Sequence, residues 1–221
     1  MRKRTFELLT GIDRLDGRPD LLPVKAMYLV CGEEKSGKTT LTLQIASIAT
    51  SRRFIVYWVD CGDRLNANRL RALADHWRAD LTKFLVSVPR SLKQQEEMAV
   101  WLSDHASREN LIVFDDFTHL HRIEMRGDLR RDNFLFRSLA FQTALLKDAV
   151  VSRGATVIMV SDVHSVPIDG EERPVAHAIT TIFSDVLISL KSINYNVKRL
   201  TVVADHERLE LDVRITDGGI S

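Results

Sequence analysis

The stretch Gly32-Glu33-Glu34-Lys35-Ser36-Gly37-Lys38-Thr39 fits the pattern G-x-x-x-x-G-K-[ST]. It stands directly after the apolar run 27–31 and directly before a segment of helical periodicity that opens near Lys38. Such a loop works only where a buried strand delivers it and a helix N-terminus receives it, so few folds can carry it. Its glycines let backbone N–H groups curl around a phosphate, and the helix terminus adds its dipole. The lysine reaches the outermost phosphate oxygens and the threonine hydroxyl ligates a magnesium ion. Gly32, Glu33, Glu34, Lys35, Ser36, Gly37, Lys38, Thr39 and Thr40 are therefore the expected nucleotide-binding residues. ATP and Mg²⁺ are the expected ligands, with Lys38 as a catalytic cation and Thr39 on the metal.

The rest of the chain has the pattern such a loop requires. Short apolar, β-branched runs recur at 27–31, 54–60, 84–88, 111–114, 156–160, 186–190 and 199–203. Amphipathic stretches long enough for crossover helices lie at 39–52, 66–78, 93–105 and 131–153. This alternation predicts an α/β fold, a mainly parallel twisted sheet flanked by helices. In such sheets ligands bind at the carboxyl ends of the strands. Beyond Asp185 the tight connections Asn194-Tyr195-Asn196 and Asp217-Gly218-Gly219 predict antiparallel edge strands at the C-terminal end. With no repeat or low-complexity linker in 221 residues, the expectation is a single domain over 1–221.

Lys and Arg total 31 against 30 Asp and Glu, so no chain-wide field draws the protein to polyanions, and any nucleic acid must meet a local patch. A composition of 45% hydrophobic and 28% charged residues excludes wholesale disorder. Cys31 and Cys61, each in or just after an apolar run, are read as buried thiols in a reducing compartment. The basic start Met1-Arg2-Lys3-Arg4 leads into no apolar segment of signal length, and no run reaches about 18 apolar residues. The expected location is the cytoplasm, nucleoid-associated in a prokaryote, with no membrane partner.

A phosphate loop needs an acid at the end of a neighbouring strand. Leu111-Ile112-Val113-Phe114-Asp115 supplies four apolar residues ending in a carboxylate, and Asp115 is expected to hold Mg²⁺ through water. Asp116 follows directly and is expected on the opposite face. The seven histidines show no metal-ligand spacing, and no Ser/His/Asp or Cys/His nucleophile can be assembled.

Further stretches carry a family resemblance. Thr10-Gly11-Ile12-Asp13-Arg14-Leu15-Asp16 precedes the phosphate loop as T-G-x-x-x-L-D does in RecA-type ATPases. Val59-Asp60-Cys61-Gly62-Asp63, followed by Asn68-Arg69-Leu70, resembles the D-T-E-G and E-R-L segments of the archaeal and eukaryotic strand-exchange recombinases. Pro174-Val175-Ala176 and Arg214-Ile215-Thr216-Asp217-Gly218-Gly219-Ile220 resemble the P-V-A and R-I-T-x-x-G-I segments of archaeal RadB. The chain thus resembles the RadB-type recombinase paralogues of the RecA/RadA superfamily over nearly its whole length. The resemblance implies a RecA-like P-loop ATPase core and an ATP-binding accessory, or mediator, role in homologous recombination and DNA repair. A RadA-type recombinase is the implied partner. The sequence starts almost at that core, and the expectation is that the recombinases' amino-terminal DNA-binding domain has no counterpart.

The departures matter as much. Gly62 stands where the recombinases carry the glutamate that activates the attacking water, and Asp63, one residue on, is either a displaced base or a bystander. Ser161-Asp162 stands where the family's strand ends in Asn-Gln, and an ionised aspartate repels a γ-phosphate and cannot donate to it. Both changes weaken hydrolysis rather than binding. Lys35 and Arg69 fall at the family's adenine-side positions, as stacking cations or as solvated ones.

Segment 118–131 resembles the recombinases' first DNA loop, with Arg122, Arg126, Arg130 and Arg131 against Glu124 and Asp128. It implies modest binding of single-stranded DNA, or else a solvated, salt-bridged loop. Segment 164–178, in the place of the second loop, carries Asp169, Glu171 and Glu172 against Arg173 alone. The family's self-polymerising Phe-x-x-Ala plug has no counterpart in Phe6-Glu7-Leu8-Leu9, so no long homofilament is expected. The alternative reading is a KaiC-like ATPase or signalling switch acting on a protein target. A strand-exchange enzyme in its own right is disfavoured by the two lost catalytic positions.

Overall fold

A computed structural model describes residues 8–165 and 172–221. The elements run α1 (Asp13–Asp16), β1 (Met27–Gly32), α2 (Lys38–Ser51), β2 (Ile55–Asp60), α3 (Ala67–Trp77), a 3-10 turn (Leu81–Lys83), β3 (Phe84–Ser87) and α4 (Leu92–His105). They continue with β4 (Asn110–Asp115), α5 (His119–Glu124), α6 (Leu129–Arg153), β5 (Thr156–Ser165), β6 (Glu172–Pro174) and α7 (His177–Thr180). Strands β7 (Val186–Ser192), β8 (Val197–Ala204), β9 (Glu207–Thr216) and β10 (Gly219–Ile220) close the chain.

The sheet order is β10-β9-β8-β7-β1-β5-β4-β2-β3, with β6 paired to β5. Strands β7, β1, β5, β4, β2 and β3 run parallel, and β8, β9 and β10 extend the sheet antiparallel, as the sequence pattern predicts. Every residue of β1 is buried, which is why its sequence reads as a continuous apolar run rather than an alternation. The alternation is still there in three dimensions. Tyr28 and Val30 join one core, with Leu41 and Ile45 of α2, while Met27 and Leu29 join a second, with Leu102 of α4 and Leu139 of α6.

Local chemistry sets the helix ends. Asn66, Ser91 and Asp128 each accept a hydrogen bond from the backbone N–H three residues on, which starts α3, α4 and α6. Asp128 brings the start of α6 two residues ahead of the predicted Arg131. Segment 118–131, expected as a loop, contains the six-residue helix α5, because Leu120 and His121 are apolar enough in context to be buried. Phe6 of the segment Phe6-Glu7-Leu8-Leu9 and residues 166–171 of the acidic segment 164–178 lie outside the described residues. Among the described residues no helix is long and apolar enough to cross a membrane.

The C-terminal strands are sewn onto α2 and α3. Gln44 is fully buried, and its amide donates to the carbonyls of Thr10 at 2.6 Å and Ile220 at 3.0 Å. Its carbonyl accepts from the Ile220 N–H at 2.6 Å. Trp77 Nε1 donates to Gly218 O at 3.1 Å. Truncating Gln44 would strand three buried backbone groups, each worth more unsatisfied than a hydrogen bond is worth made. Gln44→Ala is expected to lower stability by roughly 3 kcal/mol, read as a lower urea midpoint of the full chain. An unchanged midpoint would contradict this account of the C-terminal closure.

Candidate functional site

Register decides which side chains meet at the carboxyl end of the sheet. Gly32 pairs across to Asp162 and Asp60 pairs across to Asp115, so the ends of β1, β5, β2 and β4 arrive together. The loop that leaves β1 is held too tightly for side chains at its glycines. A Cβ at Gly32 would lie 2.2 Å from the Leu190 carbonyl oxygen. Gly37, at φ +103°, turns the chain into α2 in a conformation that L-residues rarely adopt.

Lys38 opens α2 and is buried. Its ammonium donates to Gly32 O at 2.9 Å and Glu33 O at 2.7 Å, and Nζ lies 2.9 Å from Asp162 Oδ1. Thr39 Oγ1 donates to Asp115 Oδ2 at 2.8 Å. Asp115 is fully buried, its Oδ1 has no hydrogen-bond partner, and burial pushes its carboxyl up to about 7. The Ser36 hydroxyl is likewise buried without a partner. A hydroxyl beside a carboxylate with a spare oxygen is a hard-oxygen pair of the kind Mg²⁺ takes alongside phosphates, so the residues fit the group the motif implies. Glu34 and Lys35 are exposed, and Glu33, Thr39 and Thr40 are half-buried.

A second cluster joins this one through Asp162. Asp162 Oδ2 lies 3.0 Å from Arg122 Nη2 and 3.3 Å from Arg64 Nη2. Burial raises the Asp162 carboxyl, but Lys38 and Arg64 outweigh it and hold the group well below the usual carboxylate range. Arg122 Nη2 also reaches Asp116 Oδ2 at 2.9 Å. Asp116, expected on the opposite face, therefore belongs to the same ionic cluster; its carboxyl is fully buried and is raised by burial and by Asp162. The alternation that argued otherwise applies within β4, and Asp116 lies just beyond it.

The remaining expected residues are dispersed. Asp63 is an exposed residue at φ +53°, and its carboxylate faces Arg90 at 3.3 Å. Arg64, which sequence reasoning passed over, covers the Gly62 position instead, with its side-chain atoms 3.1 Å from where a Cβ would be. Its placement comes from Asp60, whose carboxylate accepts from the N–H groups of Arg64 at 2.9 Å and Leu65 at 3.0 Å. That turn is local, and an Asp four residues before an Arg at a strand end was the available signal. Arg69 donates to the carbonyls of Asp217 at 2.8 Å and Thr216 at 2.7 Å, fastening α3 to the C-terminal turn. Arg122 is turned inward, whereas Arg126, Arg130 and Arg131 are exposed around the start of α6. His121 is buried with its ring against Phe136 at 4.6 Å, a packing role.

A phosphate loop delivered by a central parallel strand, with a hydroxyl–carboxylate pair at its helix end, defines a P-loop nucleotide-binding protein, and the sheet is RecA-like. The chain belongs to the AAA domain family, whose profile matches residues 15–165. The crystal structure of the RadB recombinase is similar over 96% of this chain and 98% of that one, at a TM-score of 0.79 and 23% identity. Protein RecA of Bdellovibrio bacteriovorus is 27% identical over 139 residues, 62% of this chain. The chain spans 36% of the length of that curated relative.

Proposed function

We propose that this protein is a RadB-like accessory protein of homologous recombination and DNA repair that binds Mg·ATP, turns it over slowly or not at all, and docks on a RadA-type recombinase. The observation that carries this reading is the split character of the site. Its binding half, Lys38, Thr39 and Asp115, has the geometry of a working phosphate loop. Its hydrolytic half has a glycine at 62, an arginine over that glycine, and Asp63 drawn out to Arg90. Thr39 and Asp115 would hold Mg²⁺, which when bound would supply charge neutralisation for the phosphate oxygens. The loop amides and Lys38 would orient those oxygens, and residue 62, a glycine, has no side chain to orient a water.

The docking surface is the open edge of the sheet. β3 pairs only with β2 among the described strands, and Leu85 and Val86 are 47% and 46% exposed. Between this edge and α4 runs an apolar groove of about 260 Å³ lined by Tyr57, Val59, Leu85, Met98, Trp101 and Leu102 among others. A free strand edge beside apolar pockets receives an extended peptide by strand addition. A Phe-x-x-Ala segment of a recombinase, of the kind its family inserts into a neighbour, has the right character. DNA would meet Arg126, Arg130 and Arg131, which are exposed, rather than Arg122, which is occupied by carboxylates.

Three outcomes follow. Lys38→Ala is expected to weaken binding of a non-hydrolysable ATP analogue by calorimetry, and wild-type turnover should fall roughly 10²- to 10⁴-fold short of an enzyme with its base in place; rapid DNA-stimulated turnover would contradict the accessory role. A Phe-x-x-Ala peptide should bind the wild type and not Val86→Asp or Trp101→Glu, while regular filaments of the protein alone, or no capture of recombinase or peptide, would favour the KaiC-like alternative. Replacing Arg126, Arg130 and Arg131 with Ala should reduce the salt slope of single-stranded DNA binding by about 0.7 per lost phosphate contact. An unchanged slope would remove DNA from this surface.

A further inference from the structure

Three cations converge on one carboxylate. Lys38 Nζ lies 2.9 Å from Asp162 Oδ1, and Arg122 Nη2 and Arg64 Nη2 lie 3.0 Å and 3.3 Å from Asp162 Oδ2. Asp116 shares Arg122, so two carboxylates answer three cations. This arrangement stands at the ammonium that a phosphate loop directs to the outermost phosphates of its nucleotide. A small anion with two oxygens thus holds the place where a terminal phosphoryl group would sit.

Other features make the cluster a cage rather than a chance contact. The Arg122 Nε–H is buried and unpartnered, a donor that the two carboxylates leave unused. Arg64 is fixed on the other side: its backbone N–H is held by Asp60 and its side chain lies over Gly62. A Cβ at residue 62 would press on that arginine, whose side chain would have to give by a few tenths of an ångström.

We propose that Asp162 is a built-in stand-in for the γ-phosphate, and that Lys38, Arg64 and Arg122 form an anion cage that exchanges this carboxylate for the terminal phosphate of a nucleoside triphosphate. The inference rests on the ATP-binding reading of the phosphate loop and adds how that site tells triphosphate from diphosphate. A diphosphate needs the loop amides and Lys38, and it leaves the pairing of Asp162 with the two arginines in place. A triphosphate brings a second anion into the cage. Like charges at contact distance repel strongly in a buried site, so Asp162 must give way. Asp162 thereby holds back triphosphate affinity, while Arg64 and Arg122 supply it. The exchange is also felt beyond the site. Arg122 belongs to α5, and the Asp162 carbonyl accepts the Val175 N–H at 3.0 Å, so both the segment before α6 and the β5–β6 pairing are tied to the residue that moves.

The test is calorimetric titration of the full chain with Mg²⁺ and either ADP or a non-hydrolysable ATP analogue. Asp162→Asn keeps the shape and removes the charge; it should tighten the triphosphate roughly tenfold and change ADP less than twofold. Arg64→Ala, at a partly exposed position, should weaken the triphosphate roughly tenfold with little effect on ADP. Arg64→Gln provides the same reading without a cavity. If both ligands shift in parallel in these variants, or if Asp162→Asn weakens the triphosphate, the stand-in is overturned while Lys38-dependent binding of both nucleotides still upholds the ATP site. A wild type that binds neither nucleotide overturns both.

Discussion

A lysine ammonium buried at the end of the central strand has to be neutralised, and the arrangement around it follows from that need. Lys38 takes the carbonyls of Gly32 and Glu33, which bends the loop around it, and takes Asp162 from the neighbouring strand. Asp162 would carry one charge into a confined space, and it in turn gathers Arg64 and Arg122. Arg122 makes the buried Asp116 tolerable. Each ion is expensive to bury alone and is accepted because the next one compensates it. The result is a polar network at the carboxyl end of the sheet, and its members come from four different segments of the chain.

The same network pairs the buried charges at the carboxyl end of the sheet with one another. Asp115 is the exception. Its partner Thr39 uses one oxygen, the other has no hydrogen bond, and burial raises the group toward neutrality. A divalent cation favours the ionised form and removes that penalty. The cluster thus has a self-sufficient part, built on Asp162, and an incomplete part, built on Asp115.

How much of this was legible in the sequence depends on whether the signal was local. The phosphate loop, the apolar run ending in Asp115 and the strand–helix alternation are contiguous stretches, and the mainly parallel sheet with antiparallel C-terminal edge strands read from them is the one observed. The Asp162 cluster is not contiguous. Arg64 and Asp162 stand 98 residues apart and Arg122 and Asp162 stand 40 apart, and it takes the strand pairings of β1 with β5 and of β2 and β5 with β4 to bring them to one point. Periodicity rules failed at their own limits. Asp116 was assigned by strand alternation one residue past the strand, and Arg122 was assigned to a loop because six residues of helix are too short to show a period. Arg69 was legible as a cation near the site, but its capture by the carbonyls of Thr216 and Asp217 requires the C-terminal strands to have returned to α3.

The two edges of the sheet differ in length and in the side chains they present. At one edge, β10 is two buried residues held against α2 through Gln44, and it pairs only with Ile215 and Thr216 at the end of the ten-residue β9. At the other, β3 is four residues long and presents Leu85 and Val86 beside Trp101 of α4, without the charged side chains that usually protect an edge. An apolar edge without charge beside an apolar groove is the one that the proposed strand addition would use.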